Sequence, residues 1–175
     1  MKTLNLVLNF FLFFIIHNIS INSAAQKSIE LEKINTIINL SKFINWQTVY
    51  NNNSEKLIFV ISDETHAINY EIQTKNTVKY KNWQVIVGKK YNKIVNGSIV
   101  FITNEQKLRT DDIIKISKIK NILTIADNID DFCINGGMIN IKNIYGKKEI
   151  EINYQEIQDR DIEISSKLLT LAKIL

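Results

Sequence analysis

A cysteine and a histidine could together act as a nucleophile and its base. Cys133 is the only cysteine, and only two histidines are present, His17 and His66. A catalytic thiol needs a neighbouring base, usually a histidine, to become the reactive thiolate. Cys133 instead stands between two apolar residues, Phe132 and Ile134, which is typical of a buried cysteine that packs as a small apolar side chain. The sequence therefore predicts a structural role for Cys133 and no internal disulfide.

Three carboxylates could bind a metal ion. Asp63, Glu105 and Asp127 each follow a predicted strand, and the carboxyl ends of parallel strands form the ligand edge of a sheet. Oxygen ligands of this kind suit Mg²⁺. However, aspartate is also common at turns, and no paired acidic motif, basic partner or nucleophile accompanies these residues. We therefore predict a protein that is not an enzyme, with no catalytic residue, no bound metal and no cofactor.

Glycines are concentrated in one stretch of the chain. Of five glycines in 175 residues, Gly136, Gly137 and Gly146 fall within eleven positions, and proline is absent. A phosphate loop would need a G-x-G-x-x-G frame or a following Lys-Ser/Thr, with a helix after it. The pair at 136–137 lacks both features. It predicts a tight turn or a close approach of the backbone to a neighbouring group.

The first 25 residues form a separate segment. Lys2 is followed by an apolar run over residues 4–16, and Ser23 and Ala25 are small residues at the positions that precede a cleavage site. This order is typical of a secretory signal peptide. A membrane anchor is the alternative, but the run is shorter than the ~20 residues that span a bilayer. We predict residues 1–25 as a signal peptide cleaved near Ala25, and export of the rest of the chain.

The rest of the chain, residues 26–175, has the size of one domain. Its charge is mild, since the whole sequence carries a formal +4, and the basic residues are scattered. With no arginine cluster and no alternation of aromatic and basic residues, the sequence argues against nucleic-acid binding.

Four apolar runs indicate buried strands: KLIFVIS (residues 56–62), WQVIV (83–87), SIVFIT (98–103) and ILTIA (122–126). They do not alternate between apolar and polar residues, which favours a parallel sheet covered on both faces. Amphipathic helices are predicted from Ser28 to near Trp46 and from Thr110 onward, with a weaker helix over residues 65–76.

The C-terminal part has a different pattern. Apolar and polar residues alternate on both sides of Gly146, which predicts an antiparallel hairpin with Lys142 opposite Glu149 or Glu151. Asn153 has the sequence context of a helix cap. The last twelve residues predict a closing helix with four aliphatic residues on one side: Ile164, Leu168, Leu171 and Leu175. The predicted fold is α/β, a single domain with a mostly parallel central sheet flanked by helices, a C-terminal antiparallel hairpin and a closing helix.

The segments GGMINI, EIN and ISSKLLTLA, in this order around Gly146, resemble the C-terminal signature of the YfiR family of periplasmic regulatory proteins. The signature residues, which we expect to be structural, are Gly136, Gly137, Met138, Asn140, Asn153, Ser165 and Leu168. The FINW segment is similar to the F-x-x-W-P of many relatives, although Gln47 replaces the proline. Cysteine bridges described for some relatives cannot form with one cysteine.

The resemblance implies a protein that binds the periplasmic part of a membrane signalling protein. In the best-known arrangement that partner is a diguanylate cyclase, which the regulator represses, so the output is cyclic-di-GMP signalling. An outer-membrane lipoprotein relieves the repression. Related domains are also fused to histidine kinases, which widens the class of partner.

Two hypotheses follow. The first is an exported, non-catalytic regulatory binding protein that modulates a diguanylate cyclase or a histidine kinase. The alternative is a periplasmic sensor domain for a small ligand. For the first, Trp46 and Trp83 are candidate contact residues, because aromatic anchors dominate many interfaces. The sequence leaves open a homodimer.

Overall fold

The computed structural model describes residues 29–46, 56–62, 83–88, 94–160 and 162–175. For Trp46, Lys56 and Trp83 it describes the backbone only. The predicted signal peptide, the weak helix over residues 65–76, Asp63 and His66 lie outside the described residues.

A seven-stranded sheet forms the centre of the domain. Its strands are β2 (Lys56–Ile61), β3 (Trp83–Val87), β4 (Ile99–Ile102), β5 (Leu123–Asp127), β6 (Ile139–Ile144), β7 (Lys147–Ile152) and β9 (Lys173–Ile174). Two further strands, β1 (Ile44–Trp46) and β8 (Ile162–Ile164), pair with each other and with no other strand of the described ranges. The helices in the described part of the chain are α1 (29–41), α2 (Thr110–Ile119), α3 (Tyr154–Gln158) and α4 (Ser166–Leu169), with a 3₁₀ helix at Asn104–Arg109.

The strand order in the large sheet is β3-β2-β4-β5-β6-β7-β9. Strands β3, β2, β4, β5 and β6 are parallel, β7 is antiparallel to β6, and β9 is parallel to β7. The predicted parallel sheet is therefore confirmed, as is the hairpin that follows it. Parallel strands buried on both faces explain the unbroken Ile, Val and Phe runs of β2 and β4.

Each face of the sheet has its own core. On one face Ile58, Phe101 and Ile125 pack with Ile34 and Ile37 of α1. On the other face Phe59, Val100 and Ala126 pack with residues of α2 and with the segment that contains Cys133. Alternate residues of each strand point to opposite faces, so both cores share the same strands.

The predicted first helix is too long. Helix α1 ends at residue 41, in a turn where the N–H of Phe43 bonds to the carbonyl of Leu40 at 3.0 Å. The chain then becomes β1, in which Ile44 pairs with Ile164 and Trp46 with Ile162. Pairing with a strand that lies 118 residues further on overrides the helical spacing of the local sequence.

The predicted closing helix is also different. Ile164 belongs to β8, helix α4 is a single turn, and the chain then continues into β9 at the edge of the sheet. Leu168 is buried, whereas Leu171 is 70% exposed, so the four aliphatic residues do not form one buried stripe. The hydrogen bond from the N–H of Leu175 to the carbonyl of Ile152 (2.9 Å) fixes the extended ending.

Helix α2 begins at Thr110, as the sequence predicts, and Thr110 is its first residue, not its cap. Arg109 takes the cap position without a side-chain hydrogen bond, because the 3₁₀ helix runs directly into α2. The hydroxyl of Thr110 donates instead to the carbonyl of Lys107. Asn153 does cap α3, since its Oδ1 accepts a hydrogen bond from the N–H of Glu156 at 3.1 Å.

Candidate docking groove and its surroundings

A groove of about 610 Å³ lies between the β1–β8 ribbon and helix α3. Its apolar part includes three half-buried side chains that also pack on the core: Phe43, Tyr154 and Ile164. Exposed polar side chains surround them: Lys42, Asn45, Gln158 and Glu163. An apolar centre with a polar, solvent-accessible rim is the usual composition of a protein–protein interface.

Within the described residues, the ribbon beside the groove consists of two strands. β1 and β8 are joined through three residue pairs, and Asn45 Nδ2 lies 3.4 Å from Glu163 Oε2 across them. Each strand therefore has a second edge with which no described strand pairs. An open strand edge of this kind can receive an extended segment of another chain.

Two signature residues hold the ribbon in place. The backbone N–H of Ser165 donates to the carbonyl of Phe43 at 2.8 Å, which extends the pairing of β8 with β1 by one bond. The Ser165 hydroxyl caps α4 by accepting from the N–H of Lys167 at 3.3 Å. Leu168 is 2% exposed and packs in the core beneath α1. Both residues position the groove. Ser165 also lines it, whereas Leu168 does not.

The other signature residues lie around the segment that connects β5 to β6. The side chain of Asn140 accepts from the N–H of Ile129 (3.3 Å) and donates to its carbonyl (2.6 Å). The N–H of Met138 donates to Thr124 Oγ1 at 3.0 Å, and Asn153 Nδ2 donates to the carbonyl of Cys133 at 2.8 Å. All these bonds tie one irregular segment to the sheet, so they support a structural role.

The paired glycines serve two different needs. Gly136 has φ +101°, a conformation that side chains disfavour. Gly137 has no such φ, but the ring of Phe132 lies directly against it, and a β-carbon there would be 2.3 Å from Cε1 of the ring. The pair therefore allows a turn and a close aromatic contact.

Cys133 is buried and unpaired with any other cysteine, and its Sγ lies 3.6 Å from the carbonyl oxygen of Glu151. Burial in apolar surroundings raises the pKa of the thiol to about 12. A thiol in this state is a poor nucleophile at neutral pH. The expected packing role of Cys133 agrees with this environment.

A second cavity, of about 260 Å³, lies between α1 and the carboxyl ends of the strands. Ile29, Phe101 and Ile141 provide apolar surface. Two ion pairs cross from α1 to the sheet beside it, Lys33–Asp127 and Glu32–Lys148, each at 2.6 Å. Hydrogen bonding to Lys148, together with its charge, lowers the pKa of Glu32.

The carboxylates considered for Mg²⁺ do not form a site in the described part of the chain. Asp127 is paired with Lys33. Residues 29–46, 56–62, 83–88, 94–160 and 162–175 contain no group of three or more His, Cys, Asp or Glu side chains that could hold a metal ion. Asp63 lies outside these ranges.

The candidate contact residues Trp46 and Trp83 lie in β1 and β3. Because only their backbone is described, their role as partner contacts stays a prediction. The groove itself was missed by sequence reasoning, since it combines residues 42–45 with residues 154–165. The aromatic residues Phe43 and Tyr154, one in each segment, were the only local sign of the groove.

A family model described as YfiR/HmsC-like matches residues 32–173, which include nearly all the elements described above. The chain belongs to the YfiR/HmsC-like family. YfiR-like proteins are periplasmic and regulatory rather than catalytic, and membership suggests a regulator of cyclic-di-GMP signalling. No curated protein matches the sequence. No helix within the described ranges has the length and apolar character needed to cross a bilayer.

Proposed function

We propose that this YfiR/HmsC-like protein is exported, loses a signal peptide at residues 1–25, and docks onto the periplasmic part of a membrane signalling protein. The observation that carries the proposal is the family match over residues 32–173. A diguanylate cyclase is the first candidate partner and a histidine kinase the second. An outer-membrane lipoprotein is a candidate competitor for the regulator.

The groove beside the β1–β8 ribbon supports docking. Its half-buried aromatic centre can be covered further by a partner, and the open edge of the ribbon offers backbone N–H and C=O groups to an extended segment. Docking changes the output of a sensor only if the regulator binds one of the sensor's states more tightly than the other.

The experiment combines cross-linking in intact cells with affinity purification of the tagged protein. Recovery of a membrane-anchored signalling protein, with a change of cyclic-dinucleotide level or kinase output on deletion, is the expected result. If neither is found, the regulatory function is wrong.

Charge substitutions on the groove rim locate the contact. Asn45→Arg and Gln158→Arg both change exposed residues, so the fold should persist while recovery of the partner falls. Lys118→Glu changes an exposed residue of α2, which packs against the other sheet face, and should leave recovery unchanged. Equal recovery with all three variants would place the contact outside the groove.

A second candidate function is the sensing of a small ligand. The 260 Å³ cavity at the carboxyl edge favours it, because ligands bind at this edge in doubly wound sheets. A thermal-shift screen against a panel of envelope metabolites, with no protein partner present, tests this function. A stabilising ligand whose effect is lost in Lys33→Met would support it, and a flat screen would remove it.

A further inference from the structure

The tip of the β6–β7 hairpin carries a fully exposed aromatic residue. Tyr145 and Gly146 form the two-residue turn between Ile144 and Lys147, which are paired. The relative exposure of Tyr145 is 102%, the highest among the large apolar and aromatic residues of the described ranges. Its ring therefore packs on none of the residues that the structure describes.

The backbone at this position is unfavourable for tyrosine. Tyr145 has φ +50° and Gly146 has φ +78°, so both residues of the turn are in the left-handed region. Turns of this kind prefer Asn-Gly, because asparagine tolerates positive φ better than an aromatic residue does. Tyrosine at the first position thus reduces stability, and no packing on the described residues compensates for it.

The hairpin holds the ring in a fixed place. Six consecutive residue pairs join β6 to β7, from Ile139–Ile152 to Ile144–Lys147. The ion pair between Lys148 and Glu32 (2.6 Å) ties the hairpin to the start of α1. A strained, rigid and exposed residue is a frequent mark of a functional position.

The charge next to the ring indicates the chemistry of the partner. Lys147 is exposed, and within the described ranges it has no ion pair. A partner surface that accepts this tip needs an apolar pocket for the ring and a carboxylate for the ammonium group. Aromatic side chains that enter such pockets are among the commonest dominant contacts of interfaces.

We propose that Tyr145 is an anchor that enters an apolar, acid-rimmed pocket on the periplasmic part of the signalling protein. This inference rests on the proposed function and adds a second contact to the groove. The hairpin tip adjoins the start of α1 and the groove adjoins its end, so one partner can span the helix, about 18 Å for a helix of this length.

A membrane surface is the other class of target for an aromatic-basic tip. A single lysine is attracted only weakly to an anionic bilayer, and Lys147 is the only exposed lysine of the turn without a described ion pair. A single ring and a single available charge are too little for stable membrane association. A protein pocket can bury the ring fully, so the protein partner is favoured.

The test uses Tyr145→Asn, with Tyr145→Phe as the matched control. Asparagine relieves the backbone strain and removes the ring, so the variant should be at least as stable as the wild type but bind the recovered signalling protein at least about tenfold more weakly. Phenylalanine keeps the ring and should retain binding. Lys147→Glu should also weaken binding, more at low salt than at high salt.

A photo-cross-linking amino acid at position 145 gives the second readout. It should cross-link to the signalling protein, whereas the same residue at Leu108, which is 93% exposed, should not. If the complex forms and Tyr145→Asn binds as tightly as the wild type, this inference is wrong and the proposed function stands. If no complex forms with the wild-type protein, both fail. Binding to anionic vesicles that depends on Tyr145 would also overturn the inference, in favour of a membrane contact.

Discussion

The aromatic ring of Phe132 lies against the α-carbon of Gly137, so that a β-carbon at position 137 would be 2.3 Å from Cε1 of the ring. Phe132 is 1% exposed and belongs to the core that α2 covers. The ring therefore cannot move without disturbing that core.

Gly137→Val should lower the free energy of unfolding by about 1–3 kcal/mol, the usual range for an overpacked core. The cause is the Phe132 ring and not the backbone, because φ of Gly137 is not positive. Urea titration measures the change. In the double variant Phe132→Leu/Gly137→Val the smaller side chain makes room, so part of the lost stability should return. If the two changes are additive, the contact is not the cause.

Asn140→Leu should be strongly destabilising. The side chain is fully buried and is the partner of both the N–H and the C=O of Ile129. Each buried group left without a partner costs about 1–3 kcal/mol. Asn143→Ala is the control on the same strand, because Asn143 is exposed, and its stability should stay near that of the wild type. Similar midpoints for both variants in denaturant would contradict the assigned role.

Substitution by valine should change the stability of the protein differently at two buried threonines. Thr103 is 1% exposed and its hydroxyl has no hydrogen bond within the described ranges, whereas Thr124 Oγ1 accepts from the N–H of Met138. Thr124→Val leaves that N–H unpaired and should cost about 1–3 kcal/mol. Thr103→Val removes an unsatisfied hydroxyl and should be neutral or stabilising. Thermal unfolding of both variants measures the difference, and equal losses would refute it.

Cys133 should resist alkylation by iodoacetamide at pH 8 in the native protein and react readily in urea. The pKa raised to about 12 by burial also has a consequence for stability. The folded state favours the protonated thiol, so this contribution is complete below the unfolded pKa, near 9, and is lost as the pH rises from about 9 to 12. Relative to Cys133→Ala, the wild type should therefore lose stability over that interval. Rapid native alkylation would show that the thiol is accessible.

The sequence predicts the parallel sheet well because its strands need little context. Runs such as Ile99–Ile102 are apolar on both faces, and only a strand covered from both sides buries all of them. The hairpin is equally visible, since apolar and polar residues alternate over residues 139–142 and 149–152, on the two sides of Gly146. The cap at Asn153 follows from purely local chemistry.

The groove could not be predicted in the same way. Strands β1 and β8 have three residues each, and their conformation depends on a partner more than one hundred residues away. The apolar residues keep helical spacing as far as Ile44, but the helix ends at residue 41. The pairing of Ile44 with Ile164 replaces it, and the local sequence gives no sign of this pairing. The exposure of Tyr145 likewise depends on which elements surround the hairpin tip, and the local sequence does not contain this information.

The pairing of β1 with β8 also links the groove to the order of synthesis. Asn45 leaves the ribosome 118 residues before Glu163, its neighbour across the ribbon. Until β8 has been synthesised, β1 lacks the strand with which it pairs, and one wall of the groove is missing. A chain cut before Ile162 therefore lacks this wall of the groove but still contains strands β2 to β7, so a complete groove indicates that synthesis has proceeded through β8.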